Sequence, residues 1–182
     1  LFKEDPGRYV VLSVSYALTR SPLSTPIAYR ELAAALGVEQ GERAPLAEVR
    51  AAVLELRRRK GMVLDPGDPD TRSAGSFFTN PILTREQAAE LELRAPGFPR
   101  WDMPDGTVKV PAAWLIENAG FPKGYARGRA RISTKHTLAI TNPSGEATAR
   151  EVLALAREIR AGVQEKFGVE LVNEPVMVGI SL

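Results

Sequence analysis

One stretch, from Arg72 to Pro81, constrains the fold of this chain more than any other part of it. Its core reads Gly-Ser-Phe-Phe-Thr-Asn-Pro, an unusual mixture for an ordinary strand or helix. Gly75 permits close backbone approach beside Ser76, the phenylalanines can bury large apolar areas, and the proline stops a strand. The stretch therefore predicts a hydroxyl held on a rigid, partly dry platform. A buried strand entering a turn is the alternative, because a lone serine motif is not specific.

Composition excludes several classes of site. The chain has 182 residues, no cysteine and a single histidine, so disulfides, a thiol nucleophile and cysteine- or histidine-rich metal sites are excluded, and we expect no metal. A net charge of +2 is no global signal for nucleic acid. No apolar run reaches the roughly eighteen residues of a membrane span, and no signal peptide is visible. We expect a cytoplasmic protein without a membrane partner.

Hydrophobic periodicity predicts an irregular alternation of helices and strands, which is typical of an α+β fold. Helices are expected where apolar residues recur at helical spacing and where capping residues flank them. Strands are expected in β-branched and aromatic runs. The predicted helices are 27–36, 45–60, 84–93, 111–118 and 147–167, and the predicted strands are 8–18, the motif strand after 72, 107–110, 136–141 and the closing region 170–180.

The motif around Ser76 closely resembles the signature of the UDP-N-acetylenolpyruvoylglucosamine reductase family, flavoenzymes of bacterial peptidoglycan synthesis. Further pieces that resemble this family occur in family order from end to end. They are Arg57-x-x-Lys60, Asp65-Pro66, Val110 to Glu117, Ala119-Gly120-Phe121, His136 to Asn142, Ala147-Thr148, Phe167 to Leu171 and Glu174 to Gly179.

The resemblance implies a reaction and a domain organisation. In the family, NADPH reduces a bound FAD, and UDP-N-acetylglucosamine enolpyruvate is reduced to UDP-N-acetylmuramate. A Tyr-Arg-x-Ser motif with a catalytic arginine would precede Leu1, so we expect the C-terminal part of a longer, monomeric enzyme whose partner is its N-terminal flavin-binding half. The expected organisation is the tail of an FAD-binding α+β domain at 1–60, an α+β substrate-binding domain at 61–168, and a C-terminal strand at 169–182 that returns to the flavin-binding region. The fragment alone is expected to be inactive.

The resemblance also implies two catalytic residues. Ser76 matches the family serine that protonates the intermediate, and a hydroxyl can do so when it is already hydrogen-bonded to a far more basic carbon. Glu174 matches a glutamate that acts with the family arginine on the developing negative charge, as a neutral donor or as an orienter. The alternatives are a plain strand serine and a surface glutamate.

The resemblance implies further contacts with substrate and flavin. Lys60 matches a lysine that contacts the substrate, although a cation at a helix end is favourable without any ligand. Tyr29 matches a tyrosine that folds over the substrate diphosphate, or else belongs to the core, and His136 stands where the family can carry glutamine, which suggests hydrogen bonding or a structural role. Two more substrate contacts and one flavin contact complete the set: Asn80, for which a turn residue before proline is the alternative, Lys135 and Val11.

Two rival functions stay open. Residues 123–135 hold a basic cluster that could bind RNA, although aromatic residues do not alternate with its cations, which disfavours nucleic acid. A nucleotide-sugar-binding module without catalysis is the second alternative. Flavin-binding loops upstream would favour the enzyme over this module.

Overall fold

The computed structural model describes Asp5 and residues 7–182, which form two compact units divided between Val53 and Leu54. The predicted domain bounds at residues 60 and 168 stay predictions. In chain order the described elements are α1 (Arg30–Leu36), α2 (Leu46–Arg59), a 3-10 turn (Pro69–Thr71), β1 (Ser73–Ser76), β2 (Ile82–Leu83), α3 (Arg85–Arg94), β3 (Trp101–Asp102), β4 (Val108–Lys109), α4 (Ala112–Asn118), β5 (Ala126–Arg127), β6 (Ala130–Ile132), β7 (Ala139–Thr141) and α5 (Ala149–Phe167).

The predicted strand at 8–18 is wrong for this chain by itself. Those residues form neither helix nor strand, and Val10 and Leu12 are 84% and 91% exposed. Their β-branched side chains favour a strand only weakly. A strand also needs a partner to take up its backbone hydrogen bonds, and none of the described residues pairs with this stretch.

The unit before Leu54 has a small core. Ile27, Ala33 and Ala44 are buried, and the backbone of Ser24 donates to the carbonyl of Ala44 over 2.9 Å. α1 ends as predicted at Gly37, whose φ of 67° is the left-handed conformation that a helix C-cap favours. α2 runs across the division, and its predicted apolar stripe is only partly covered, since no residue of the helix is buried.

The unit from Leu54 onward holds two antiparallel sheets, with strand orders β1-β7-β6-β5 and β2-β4-β3. The α+β prediction is confirmed. Local sequence explains two of its helices. Thr84 and Gln87 form the predicted capping box at the start of α3, and Thr148 and Glu151 form another at α5.

The core of this unit lies between the sheets and one face of α5. The buried face of the helix consists of residues at helical spacing, which explains why the sequence pattern located it. They pack with Phe77, Phe78 and the apolar residues of α4 in one cluster. The buried residues of α5 are Leu153, Leu155, Ala156, Ile159, Val163 and Phe167.

The closing region is shorter as a β structure than predicted. In place of a strand over 170–180 there is a single bridge between Phe78 and Asn173. Two backbone hydrogen bonds flank it, from Thr79 to the carbonyl of Val172 over 3.0 Å and from Glu174 to the carbonyl of Phe77 over 2.8 Å. These bonds tie the C-terminal segment to the residues that follow Ser76.

Candidate active site

Ser76 stands at the end of β1, on a backbone that is fixed from both sides. It pairs with Ala139 of β7, and the register shifts between Ser73 and Ser76. Gly75 makes the irregularity possible, since its φ of 83° is open to glycine but strained for other residues. The serine itself is half-buried. β1 therefore presents a hydroxyl at a defined position.

The two phenylalanines make the dry wall that the sequence predicts. Phe77 and Phe78 are 6% and 1% exposed, and their rings meet edge-on with centroids 5.1 Å apart. The backbone of Phe77 also donates to the carbonyl of Leu138 over 2.7 Å. The residue after Ser76 is thus anchored by packing and by the sheet, which restricts movement of the serine.

A tight turn brings His136 to Ser76. The histidine Nε2 lies 3.5 Å from the serine Oγ, at the outer limit of a hydrogen bond. Ser133 is fully buried, and its Oγ accepts from the backbone nitrogens of Lys135 and His136 over 3.0 and 3.1 Å. The hydroxyl of Ser133 therefore fixes the backbone of the turn at Lys135 and His136.

The surroundings of His136 favour its neutral form. Burial lowers the pKa of the imidazole most, and the positive charges of Lys60 and Lys123 lower it further. A histidine with a lowered pKa is uncharged at neutral pH. The group beside Ser76 is therefore a neutral hydrogen-bonding partner, set in a positive field that favours an anionic ligand.

Lys135 is held by a carboxylate that precedes the motif strand. Its Nζ donates to Asp68 Oδ2 over 2.5 Å, and this bond raises the pKa of the lysine and lowers the pKa of the aspartate. The predicted substrate contact at Lys135 would therefore have to compete with Asp68.

Asn80 has a structural task in this arrangement. Its Oδ1 accepts from the backbone nitrogen of Ala112 over 2.9 Å, which satisfies one of the amides at the start of α4 that have no partner within the helix. A contact from Asn80 to substrate can use its amide nitrogen or the second lone pair of this oxygen.

The predicted site residues divide between the two units. Ser76, His136 and the backbone of Glu174 come together after Leu54, and the side chain of Glu174 is exposed. Tyr29 is 76% exposed at the start of α1, and Val11 is 57% exposed. Both belong to the unit before Leu54, and their roles stay predictions.

Sequence reasoning missed the residues that support this turn. Asp70 is 3% exposed, although it follows the sequence Asp65-Pro66-Gly67-Asp68-Pro69, which is rich in turn-forming residues. Aspartates next to prolines and glycines usually mark turns, and no local signal tells which of them is buried. The hydroxyls of Ser133 and Thr134, directly before Lys135 and His136, are the only local hint of a built turn.

Neither a metal-binding cluster nor a membrane span occurs in the part of the chain that the structure describes. Asp5 and residues 7–182 contain no group of three or more histidine, aspartate or glutamate side chains placed to hold a metal ion. Among these same residues there is also no helix long and apolar enough to cross a membrane.

The fold and site define a class: an α+β domain that presents a serine hydroxyl beside a neutral imidazole in a positive field. Residues 68–178 match the family model "UDP-N-acetylenolpyruvoylglucosamine reductase, C-terminal domain". This match covers more than half of the chain, and the chain belongs to that family.

Curated relatives agree with the family model. The chain is 60% identical to the UDP-N-acetylenolpyruvoylglucosamine reductase of Thermobifida fusca over 96% of its own length and 51% of that protein. It is 58% identical to the same-named protein of Streptomyces coelicolor, over all of the chain and 49% of the relative. It is 54% identical to the same-named protein of Mycolicibacterium gilvum, over 97% of the chain and 51% of the relative. The chain spans about half the length of the curated relatives it matches.

Proposed function

We propose that this chain supplies the substrate-binding and protonating part of a UDP-N-acetylenolpyruvoylglucosamine reductase, which converts UDP-N-acetylglucosamine enolpyruvate to UDP-N-acetylmuramate for peptidoglycan synthesis. The observation that carries the proposal is the placement of the Ser76 hydroxyl, 3.5 Å from His136 Nε2 on a strand anchored by two buried phenylalanines. The family match supplies the reaction to which this geometry is applied.

Ser76 acts as the proton donor in this proposal. During the reduction the α-carbon of the enolpyruvyl group acquires negative charge, which its carboxylate shares. The Oγ–H bond of Ser76 breaks as the new C–H bond forms, and the alkoxide regains a proton from solvent. In the tautomer that carries hydrogen on Nε2, His136 donates to the serine oxygen and stabilises its negative charge.

The cations near His136 recognise the anionic substrate. The positive charges of Lys60 and Lys123 both lower the pKa of the imidazole, which lies 3.5 Å from the Ser76 hydroxyl. A nucleotide-sugar enolpyruvate carries a carboxylate and a diphosphate, and ammonium groups suit both as compact charges. Lys135 and Asn80 are assigned to the same substrate, and Tyr29 to its diphosphate.

Glu174 completes the proposed catalytic set. Its backbone donates to the carbonyl of Phe77 over 2.8 Å, which fixes its main chain next to the residue that follows Ser76. A carboxylate beside an enolate is unfavourable unless it is protonated or shared with a cation. We assign Glu174 the role of a neutral donor or an orienter toward a cation of the longer protein.

FAD and NADPH are the redox cofactors that the family resemblance implies, and when bound they would supply the hydride. The described residues do not by themselves make a flavin site. Val11, the residue assigned to the flavin, is 57% exposed on a stretch without regular structure. One apolar contact cannot hold a ring system and a diphosphate, so hydride delivery is assigned to the longer protein.

Replacing one hydroxyl tests the proposal. In a full-length reductase that contains this chain, Ser76→Ala should lower kcat by about 10²- to 10⁴-fold, as expected for loss of general acid catalysis, and KM should change little. Ser144→Ala makes the same chemical change on an exposed loop and should leave both constants unchanged. Unchanged kcat in the Ser76 variant would sink the proposal.

The isolated chain gives a second test. We expect the 182-residue chain to show no NADPH oxidation with the enolpyruvyl substrate, and yet to bind a UDP-sugar detectably in a calorimetric titration. If the chain binds the UDP-sugar and the full-length protein shows no NADPH oxidation with the enolpyruvyl substrate, the module without catalysis is the better assignment.

A further inference from the structure

Asp70 is a buried carboxylate that the assigned reaction does not use. It lies in the 3-10 turn Pro69–Thr71 directly before the motif strand, and it is 3% exposed. Its own backbone nitrogen donates to Asp68 Oδ1 over 3.1 Å, so the turn is fixed at its start. An ionised group is seldom buried so completely without partners, and the partners of Asp70 indicate its task.

Three donors from one segment converge on the Asp70 carboxylate. Arg131 donates through a terminal nitrogen to Oδ1 over 3.2 Å, and the backbone nitrogen of Thr134 reaches the same oxygen over 3.2 Å. The hydroxyl of Thr134 donates to Oδ2. Hydrogen bonds to an ionised acceptor are stronger than neutral ones, so this contact restrains the backbone at Thr134.

The restrained residue begins the turn that carries His136. Thr134 is followed by Lys135 and His136, whose backbone nitrogens both donate to Ser133 Oγ. Asp70 therefore binds Thr134, the first of three consecutive residues that end at His136, whose imidazole lies beside Ser76. Asp68, directly before the 3-10 turn, forms an ion pair with Lys135. Two neighbouring carboxylates, Asp68 and Asp70, therefore both bind this segment.

Asp70 also packs against the residue that follows Lys60. A Cβ at Gly61 would lie 3.2 Å from both the Cβ and the carbonyl oxygen of Asp70, closer than most such contacts. The backbone after α2 thus passes directly over Asp70 at a position where φ is 68°. The backbone after Lys60 therefore lies close to Asp70, and the carboxylate of Asp70 binds the segment that leads to His136.

We propose that Asp70 is a positioning residue: it holds the 133–136 turn and the backbone at Gly61 so that His136 meets Ser76 and the Lys60 cation stands beside the imidazole. The functional part of this inference rests on the proposed role of Ser76. The geometric part, that Asp70 determines the surroundings of His136, stands independently of any activity.

A matched pair of substitutions at Thr134 tests the geometric part. Thr134→Val keeps the branched shape and removes the hydroxyl that Asp70 accepts, and Thr134→Ser keeps the hydroxyl. His136 is the only histidine in the sequence, so its imidazole signals can be followed by NMR without assignment of others. The charged groups that act on it are Lys60 and Lys123.

In the 182-residue chain, we expect Thr134→Val to move the imidazole pKa upward, toward the ordinary value of about 6.5. Thr134→Ser should titrate as the unaltered chain does. Asp70→Asn is the second variant, of the same size without the charge, and should act in the same direction. If both Thr134→Val and Asp70→Asn fold and leave the titration of His136 unchanged, the proposal is overturned.

Turnover by the full-length protein separates this inference from the proposed function. Thr134→Val should lower kcat by about 10- to 100-fold, as misplacement of a catalytic group does. Thr134→Ser, which keeps the hydroxyl, should leave kcat close to that of the unaltered protein. If Ser76→Ala leaves turnover intact, the proposed function fails. The titration of His136 in the Thr134 and Asp70 variants would still test the positioning role of Asp70. If the Thr134 variants lose activity equally with unchanged titrations, the positioning role is wrong.

Discussion

The two compact units of this chain differ in how much apolar surface they bury. From Leu54 onward one large cluster includes buried residues on α4, α5 and both sheets. Before Leu54 the buried cluster consists of Ile27, Ala33 and Ala44, although residues 8–18 form one of the most β-branched and aromatic stretches of the sequence. Apolar composition by itself therefore does not tell where a core forms.

The difference shows that a strand depends on its partner more than on its residues. β1 contains two serines, an alanine and a glycine, and yet it pairs with β7 because the chain returns alongside it. Residues 8–18 carry better strand formers, but no partner lies among the described residues. Backbone pairing is a property of two segments together, and propensity describes only one.

The sharpest test of this comparison substitutes one leucine in each unit. Leu155 on α5 is 0% exposed and Leu12 is 91% exposed. Leu155→Ala should lower the free energy of unfolding by about 2–5 kcal/mol, because it removes buried methyl groups and leaves a cavity. Leu12→Ala should change it by less than about 0.5 kcal/mol. Urea denaturation of the 182-residue chain measures both, and equal losses would break the comparison.

Helix capping gives a smaller contrast between the units. Thr148 caps α5 by accepting from the backbone of Glu151, whereas Tyr29 at the start of α1 makes no capping hydrogen bond through its side chain. Thr148→Ala should lower the free energy of unfolding by about 1 kcal/mol. Tyr29→Ala should cause no measurable change. Thr148→Ser keeps the hydroxyl and serves as the control.

If Tyr29→Ala destabilised the chain as much as Thr148→Ala, the unit before Leu54 would depend on that side chain. An unchanged free energy of unfolding, together with weaker UDP-sugar binding by the full-length protein, would instead agree with the ligand contact assigned to Tyr29.

The smallest expected effect is a pH dependence that arises only in the unit that contains His136. Burial and neighbouring cations lower the pKa of this imidazole in the folded chain. Below the ordinary value of about 6.5 the unfolded chain binds a proton that the folded chain resists, so the free energy of unfolding falls as pH falls. His136→Gln should lose this pH-dependent part of the free energy of unfolding. Carboxylates with a lowered pKa, such as Asp68, change the stability below about pH 4 instead.

Urea denaturation at several pH values between about 4 and about 6.5 measures the effect. The free energy of unfolding of the unaltered chain should fall as pH is lowered across this window. The free energy of unfolding of His136→Gln should depend less on pH. Identical slopes for the two proteins would show that the imidazole is solvated in the folded chain, and its assigned place beside Ser76 would then be wrong.

Much of the fold could be predicted from local signals. Gly37 ends α1, Thr84 and Gln87 start α3, and the helical spacing of apolar residues located α5, because each signal acts within a few residues along the chain. The motif predicted the buried phenylalanines and the half-buried Ser76. The resemblance to a family pointed to His136, whose imidazole lies 3.5 Å from the Ser76 hydroxyl.

The remainder could not be predicted, because it depends on segments far apart in the sequence. Asp70 meets Thr134 and Arg131 only after the chain has folded back, and the sequence between them does not encode that meeting in any local pattern. The same reason explains the errors at 8–18 and 170–180, where strand formers were present and ladder partners were absent or reduced to one bridge among the described residues.

The sequence by itself determined the family, the helices and the serine motif, since these follow from residue identity and from spacing over short distances. Only the tertiary structure decided which carboxylate is buried, which turn carries the imidazole to Ser76, and which apolar stretch stays exposed. The physical reason is that burial, strand pairing and the field at a titratable group are properties of neighbours in space.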